Sequence, residues 1–215
     1  LLLELPPERG VNPAASNNAA LHLASQNGHA EIVRMLLDLP LERGVNPAAN
    51  DNMIILSACG HGRTEIVRLL LDLPLERGVD PAANDNSTIR NACYWGRTEI
   101  VRLLLDLERG VDPAADDNAA IRTACSNGHT EIVRLLLELP LGRGVNPAAN
   151  DNNALANDNN ALRWACANGR TEVVRLLLDL PPERGVDPLV LGTMYFERHA
   201  ESENSMVSTY VALKS

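Results

Sequence analysis

One short pattern of apolar and polar positions recurs along the chain. The segment TEIVRLLLDL at 64–73 returns at 98–107, and with small changes at 30–39, 130–139 and 171–180. Within it Glu65, Arg68 and Asp72 fall at i, i+3 and i+7 and make a narrow polar stripe. Ile66, Val67, Leu69, Leu70 and Leu71 fill the remaining girth. This periodicity predicts a helix over 64–73 that is buried on several sides. Each copy is preceded by a second pattern, N-x-x-(L/I)-R-x-A-C, as in Asn86 to Cys93, which predicts a shorter first helix. A single pair of such helices cannot bury the second one, whereas a stack of pairs can. Leu-Pro then ends each second helix, because the residue before proline is pushed out of the α region.

The chain breakers keep the same phase. RGV(N/D)P occurs six times, with Gly10, Gly44, Gly78, Gly110, Gly144 and Gly185 spaced 34, 34, 32, 34 and 41 residues apart. A second series, Gly28, Gly62, Gly96, Gly128 and Gly169, lies between the two helices of each pair. Breakers in phase mark the turns of a repeat array. The 32-residue unit lacks the Pro-Leu pair seen at Pro74-Leu75. In the 41-residue unit ANDNNAL at 149–155 is repeated at once at 156–162, which predicts one longer loop, a sequencing or assembly slip being the other reading.

Two helices per unit, A-x-x-x-G between them and (V/I)-V-x-L-L-L in the second resemble the ankyrin repeat, most closely at 25–38 (SQNGHAEIVRMLLD). The resemblance runs from about Asn17 to Asp187. It implies an all-α fold, an ankyrin-like helical-repeat solenoid of five helix pairs. The family's T-P-L-H start is absent, so Asn18, Asn52, Asn86, Asn118 and Asn159 are the candidate N-caps of the first helices. Relative to the family the segment before the first helix is shorter and LPLE lengthens the end of the second. The projecting β-hairpin is therefore expected to be short or absent, reduced to a turn around Pro-Ala-Ala-Asn.

The expected organisation is the end of a preceding repeat at 1–16, five repeats at 17–187, and a degenerate capping repeat or a tail at 188–215. The first residues, LLLELPPERG, have no basic segment ahead of an apolar stretch and do not read as a secretory signal. They read as the close of a second helix in a trimmed or incomplete chain, or as the start of a processed protein. No apolar run approaches the roughly 18 residues of a membrane span.

Composition narrows the chemistry. A net charge of −9 in 215 residues argues against a general nucleic-acid binder. Only 6 residues are aromatic, so the core must be built from Leu, Ile, Val and Ala. Cys59, Cys93, Cys125 and Cys166 occupy one equivalent site per repeat, which Ser25 fills in the first. Stacked helix pairs lie roughly 10 Å apart, too far for a disulfide, and no Cys/His spacing suggests zinc. The thiols read as small apolar filler in a reducing, cytoplasmic setting. His29 and His129 share their position with Arg63, Arg97 and Arg170, which argues against a general base. Glu31, Glu65, Glu99, Glu131 and Glu172 each precede an Arg by three residues, a solvated ladder of pairs worth about 0.2–0.5 kcal/mol each. No phosphate loop, nucleophile elbow or H-E-x-x-H is present. The expectation is no catalysis, no cofactor and no metal.

The repeats differ mainly in their first helices. Packing positions must stay alike because each unit meets like neighbours, so positions free to differ are expected to be mostly exposed. Half of the aromatics, Tyr94, Trp95 and Trp164, fall in this variable set, and exposed Trp and Tyr are the residue types enriched in binding hot spots. By resemblance to ankyrin arrays, whose first helices line a concave groove, the candidate partner-binding residues are Leu23, Gln26, Met53, Ser57, His61, Asn91, Tyr94, Trp95, Thr123, Asn127, Trp164 and Asn168. Drift between repeats, with the aromatics partly buried against neighbouring units, is the other reading. The partner expected is another protein, with a basic patch facing the Asn/Asp-rich loops; no nucleic acid, membrane or small-molecule substrate is indicated. A structural spacer or assembly subunit using Tyr195, Phe196 and Tyr210, or a regulatory array of an enzyme domain outside this chain, are the alternative functions.

Overall fold

The computed structural model describes residues 11–107, 110–143, 145–148, 159–181 and 184. Among them are ten α-helices and no strand. The helices are α1 (Ala15–Asn27), α2 (Ala30–Leu37), α3 (Ala49–Gly60), α4 (Thr64–Leu71), α5 (Ala83–Tyr94), α6 (Thr98–Leu105), α7 (Ala115–Asn127), α8 (Thr130–Glu138), α9 (Asn160–Ala167) and α10 (Thr171–Leu178). Residues 1–10 of the repeat end expected at 1–16, residues 149–158 of the duplication at 149–162, and the segment 188–215 with Tyr195, Phe196 and Tyr210 lie outside the described residues.

The chain forms two units, one running to Asp116 and the other from Asp117. In the first, α1 pairs with α2, α3 with α4 and α5 with α6. The first helices α1, α3 and α5 stack on one another, as do the second helices α2, α4 and α6. In the second unit α9 pairs with α10, and α10 stacks on α8. The second helices are buried as their apolar girth requires: Ile66, Val67, Leu70 and Leu71 of α4 are all buried, and so are Ile100, Val101, Leu104 and Leu105 of α6. Acidic Glu65 and Glu99 sit in the first turns, where the helix dipole favours them.

The second helices are not lengthened by LPLE, contrary to expectation. They end at Leu37, Leu71 and Leu105, and after α8 Leu139, held before Pro140, is extended at φ −61° and ψ 144°. Leu41–Arg43, Leu75–Arg77 and Leu141–Arg143 instead form separate 3-10 turns. Proline cannot continue the helix, so the extra residues restart as a tight turn. The Arg of that turn reaches back across the stack. Arg77 donates to the Leu37 carbonyl at 3.2 Å and Arg184 to the Leu137 carbonyl at 2.8 Å. These carbonyls close the preceding second helix and would otherwise lack a partner.

The proposed N-caps also act differently. Asn159 makes no capping hydrogen bond. Oδ1 of Asn18, Asn52, Asn86 and Asn118 instead accepts the backbone N–H of Asn46, Asp80, Asp112 and Asn146, each in the next repeat, at 2.7–2.8 Å. Those four acceptors' partners in turn fold the Pro-Ala-Ala loop, their own Oδ1 accepting from Ala48, Ala82, Ala114 and Ala148. Any Oδ1 serves this turn, which explains why Asn and Asp interchange in RGV(N/D)P.

Within the first turn of α1, α3, α5 and α7 the backbone kinks and runs left-handed for three residues: Ser16–Asn18, Asn50–Asn52, Asn84–Asn86 and Asp116–Asn118, all with φ between 52° and 64°. A left-handed residue costs about 1–2 kcal/mol, least for Asn and Asp. This turn stands where the family's hairpin would project.

Both irregular repeats keep the register of the stack. Arg63 and Arg97 donate to carbonyls 37 residues back, and Arg170 to one 44 back, a difference of the seven duplicated residues. The Asp112–Asn86 bond spans 26 residues where its siblings span 28, absorbing the deleted Pro-Leu pair. The clamps on either side of the insertion and the deletion thus keep their partners. The glycine between helices makes room for the clamping Arg: at Gly62, φ is +72° and a Cβ would lie 3.0 Å from Arg97 Nε, and at Gly128 a Cβ would lie 2.7 Å from Arg170 Cδ.

Two substitutions test this account by chemical denaturation. Asn52→Ala loses the cross-repeat acceptor and strains the left-handed turn, and is expected to cost about 2 kcal/mol, with Asn52→Gly costing about 1 because only the bond is lost. Ser25 is fully buried and its Oγ has no hydrogen-bond partner, so Ser25→Cys, the residue of the other repeats, is expected to stabilise by about 1–2 kcal/mol. A destabilised Ser25→Cys protein contradicts the packing described.

Candidate partner-binding face

The first helices divide into a constant buried side and a variable side. Leu21 and Ala24 in α1, Ile55, Ala58 and Cys59 in α3, and Ile89, Ala92 and Cys93 in α5 are buried. The variable residues recur at helical spacing on the other side, as with Ser87, Asn91 and Tyr94-Trp95 in α5. Of the twelve candidates, Leu23, Met53, His61, Tyr94, Trp95, Trp164 and Asn168 are exposed. Gln26, Ser57, Asn91, Thr123 and Asn127 are half-buried. Tyr94, Trp95 and Trp164 keep 47%, 54% and 50% of their surface in solvent, so none is enclosed by its neighbours.

In the first unit the structure brings several of them together. His61 Nδ1 donates to the Ser57 carbonyl at 2.9 Å, since a carbonyl can only accept. That leaves Nε2 as the acceptor facing Gln26 Nε2 at 3.5 Å. The Trp95 indole lies over Gly60, where a Cβ would come within 3.5 Å of the ring and 3.3 Å of Asn91 Nδ2. Tyr94 and Trp95 meet edge to face with centroids 5.0 Å apart at 80°, the favoured aromatic geometry. In the second unit Asn168 donates to Ser126 Oγ at 3.0 Å, while Thr123 Oγ1 and Asn127 Nδ2 bond within α7, to the Ala119 and Thr123 carbonyls.

Not every differing position is exposed. Gly60 is buried under Trp95, Ile54 is buried, and Thr88 is buried with its hydroxyl donating to the Pro81 carbonyl. A variable residue can face inward where a neighbouring variable residue complements it. The sequence reading set a basic patch against the Asn/Asp-rich loops but named none of their residues and did not foresee that left-handed turns form them into a polar edge. Asn17 donates to Asn50 Oδ1 at 3.2 Å and Asn84 to the Asp51 carbonyl at 2.8 Å. Asp51, Asp85 and Asp116 are exposed along this edge, and Arg90 pairs with Asp116. The run of Asn and Asp was the available signal.

The Glu–Arg pairs belong to the second helices. Arg34 joins Glu31 at 2.7 Å to Glu65 at 3.5 Å, and Arg175 pairs with Glu172 at 3.2 Å, all exposed. Cys59, Cys93 and Cys125 are buried free thiols and Cys166 is half-buried. Burial pushes the Cys59 thiol up to about 12 and Cys166 to about 11, and raises Cys125 as well. Such thiols are poor nucleophiles. Among the described residues no group of three His, Cys, Asp or Glu could hold a metal ion, and no helix is long and apolar enough to cross a membrane.

The family model for ankyrin repeats (3 copies) matches residues 41–117 and 91–190, and the single ankyrin repeat matches 16–52. The chain belongs to the ankyrin-repeat family. No curated protein sequence matches it. Ankyrin repeats are in general protein–protein interaction modules and are typically non-catalytic.

The raised thiols set a pH dependence for this ankyrin stack. Unfolded thiols ionise near 9.0, folded Cys59 only near 12. The folded chain thus holds more protons between these values, so its stability is intact below pH 9 and is lost as pH rises toward 12. A Cys59→Ala/Cys125→Ala variant is expected to show a shallower fall in melting temperature across that window than the parent.

Proposed function

We propose that the chain is a non-catalytic protein-recognition module that holds a protein partner on the variable face of its first helices. The observation that carries this reading is the placement of Tyr94, Trp95 and Trp164. They are half exposed at positions that differ between repeats, while the shared residues of the same helices are buried. Large aromatics anchor interfaces because they bury much area at little conformational cost. Leu23 and Met53, both exposed on first helices of the first unit, add apolar area.

The chemistry of the partner follows from the charges. In the first unit the left-handed turns set exposed Asp51 and Asp85 at the start of the first helices, with the aromatic pair at the end of α5. A partner that fits carries an apolar anchor for Tyr94-Trp95 and a basic patch for the acidic edge. Four free cysteines support a reducing, cytoplasmic setting.

The test begins with affinity purification of the chain from its own cells and a binding titration against the protein that co-elutes. Tyr94→Ala/Trp95→Ala and Trp164→Ala are each expected to weaken binding roughly thirtyfold, the loss of about 2 kcal/mol typical of a hot spot. Thermal unfolding of both variants stays cooperative. Leu75→Ala, at an exposed leucine of a 3-10 turn, leaves binding unchanged. Unaltered affinity in the aromatic variants, or loss of folding instead of binding, contradicts the reading.

A further inference from the structure

The variable residues of the first unit fall into two rows with different contacts. Five and six places after the buried Leu21, Ile55 and Ile89, each repeat boundary is closed by a pair, Gln26 with His61 and Gly60 with Trp95. Two places after the same anchors stand Leu23, Ser57 and Asn91, one per repeat. Leu23 is exposed, and Ser57 and Asn91 are half-buried. Among the described residues neither Ser57 Oγ nor the Asn91 side-chain amide has a hydrogen-bond partner. The row is bordered on both sides. At the ends of the first helices stand the crossed rings of Tyr94 and Trp95, together with Arg63 and Arg97, which donate to the Gln26 and Gly60 carbonyls. At their starts Asp51 and Asp85 are exposed, six residues before Ser57 and Asn91 and one repeat apart.

Spacing selects the shape of the ligand. The first helices α1, α3 and α5 stack on one another, and packed helices lie about 8–10 Å apart. The row and its acidic border repeat at that interval. A polyproline-II segment has three residues per turn and rises about 3.1 Å per residue, so one turn covers about 9.3 Å. Every third side chain therefore meets the next repeat in the same way. A β-strand returns a side chain to one face after about 6.6 Å and loses step at once. An α-helix keeps step at seven residues, about 10.5 Å, but its carbonyls are bonded internally and offer nothing to the row. A polyproline-II backbone has no internal hydrogen bonds, so its carbonyls can accept from the Ser57 hydroxyl and the Asn91 amide. Its rigid prolines suit exposed Tyr and Trp rings. We propose that the first unit binds a polyproline-II segment lying across α1, α3 and α5. Its prolines pack on Tyr94-Trp95, its carbonyls lie over Ser57 and Asn91, and an arginine or lysine at every third residue faces Asp51 and Asp85. This rests on the protein-recognition reading above and gives the partner a form. The basic side chains take the acidic border because Arg63 and Arg97 occupy the other one.

The experiment titrates the full chain with a fluorescent peptide of four Pro-Pro-Arg triplets. The comparison peptides are one of the same composition with its arginines gathered at one end, and an amphipathic helix of leucine and arginine. The triplet peptide is expected to bind saturably, and both others about tenfold more weakly. Asn91→Ala and Trp95→Ala are each expected to weaken the triplet peptide about tenfold, the loss of one hydrogen bond or one anchor. Asp51→Asn/Asp85→Asn is expected to weaken it and to flatten its dependence on salt. Asparagine is tolerated in the left-handed turn, and Leu75→Ala leaves binding unchanged. No saturable binding of the triplet peptide, equal binding of the rearranged one, or tighter binding of the helix overturns the proposal. If the co-eluting protein still loses affinity in Tyr94→Ala/Trp95→Ala while the triplet peptide fails to bind, this proposal falls and the recognition reading stands. If both fail, both fall.

Discussion

The structure depends on one constraint: the second helix is apolar around most of its girth and cannot be buried by its own partner helix. Only a like helix on either side removes Ile66 and Val67 from water together. Burying each such side chain is worth about 1.5–3 kcal/mol. Stability is therefore carried by interfaces between repeats, and a repeat alone has none of it. The polar clamps act at the same interfaces. Arg77 closes onto Leu37, Arg63 onto Gln26, and Asn52 onto Asp80, so each repeat satisfies groups left open by its neighbour.

The left-handed turns show how this arrangement tolerates locally unfavourable backbone. Three successive left-handed residues are disfavoured in isolation. Here Asn and Asp lower the cost, and the Oδ1 of the third residue gains a hydrogen bond in the next repeat. The turn replaces a projecting hairpin by a compact acidic edge beside the first helices. A family whose repeats are defined by helix packing can vary this connection without disturbing the stack, just as it absorbs the seven-residue duplication and the missing Pro-Leu pair outside the clamped positions.

Local energetics and neighbour relations separate what could be read in advance. The second helices, the glycines between helices and the absence of strands from the described residues follow from periodicity and breakers that need no partner to be recognised. LPLE was misread as helix because its leucine continues the apolar pattern, while Pro74 stops the hydrogen-bond ladder and leaves a 3-10 turn. Asn18, Asn52, Asn86 and Asn118 were misread as caps because an Asn before a helix has the same local appearance whether its side chain turns inward or reaches to another repeat. The variable face was legible in Tyr94, Trp95 and Trp164, since difference between repeats tracks exposure. It failed at Ile54, Gly60 and Thr88; at Gly60 two differing residues complement each other across a repeat boundary.

The amino-acid sequence by itself determined the repeat, its family, its two helices per unit and the shared buried positions of those helices, because these rest on short-range periodicity and on chain breakers. The tertiary structure alone decided where the Asn and Arg side chains reach, that the first turns of α1, α3, α5 and α7 run left-handed, and that Trp95 lies over Gly60. Those outcomes depend on atoms 26 or more residues away, brought near only when helix pairs stack.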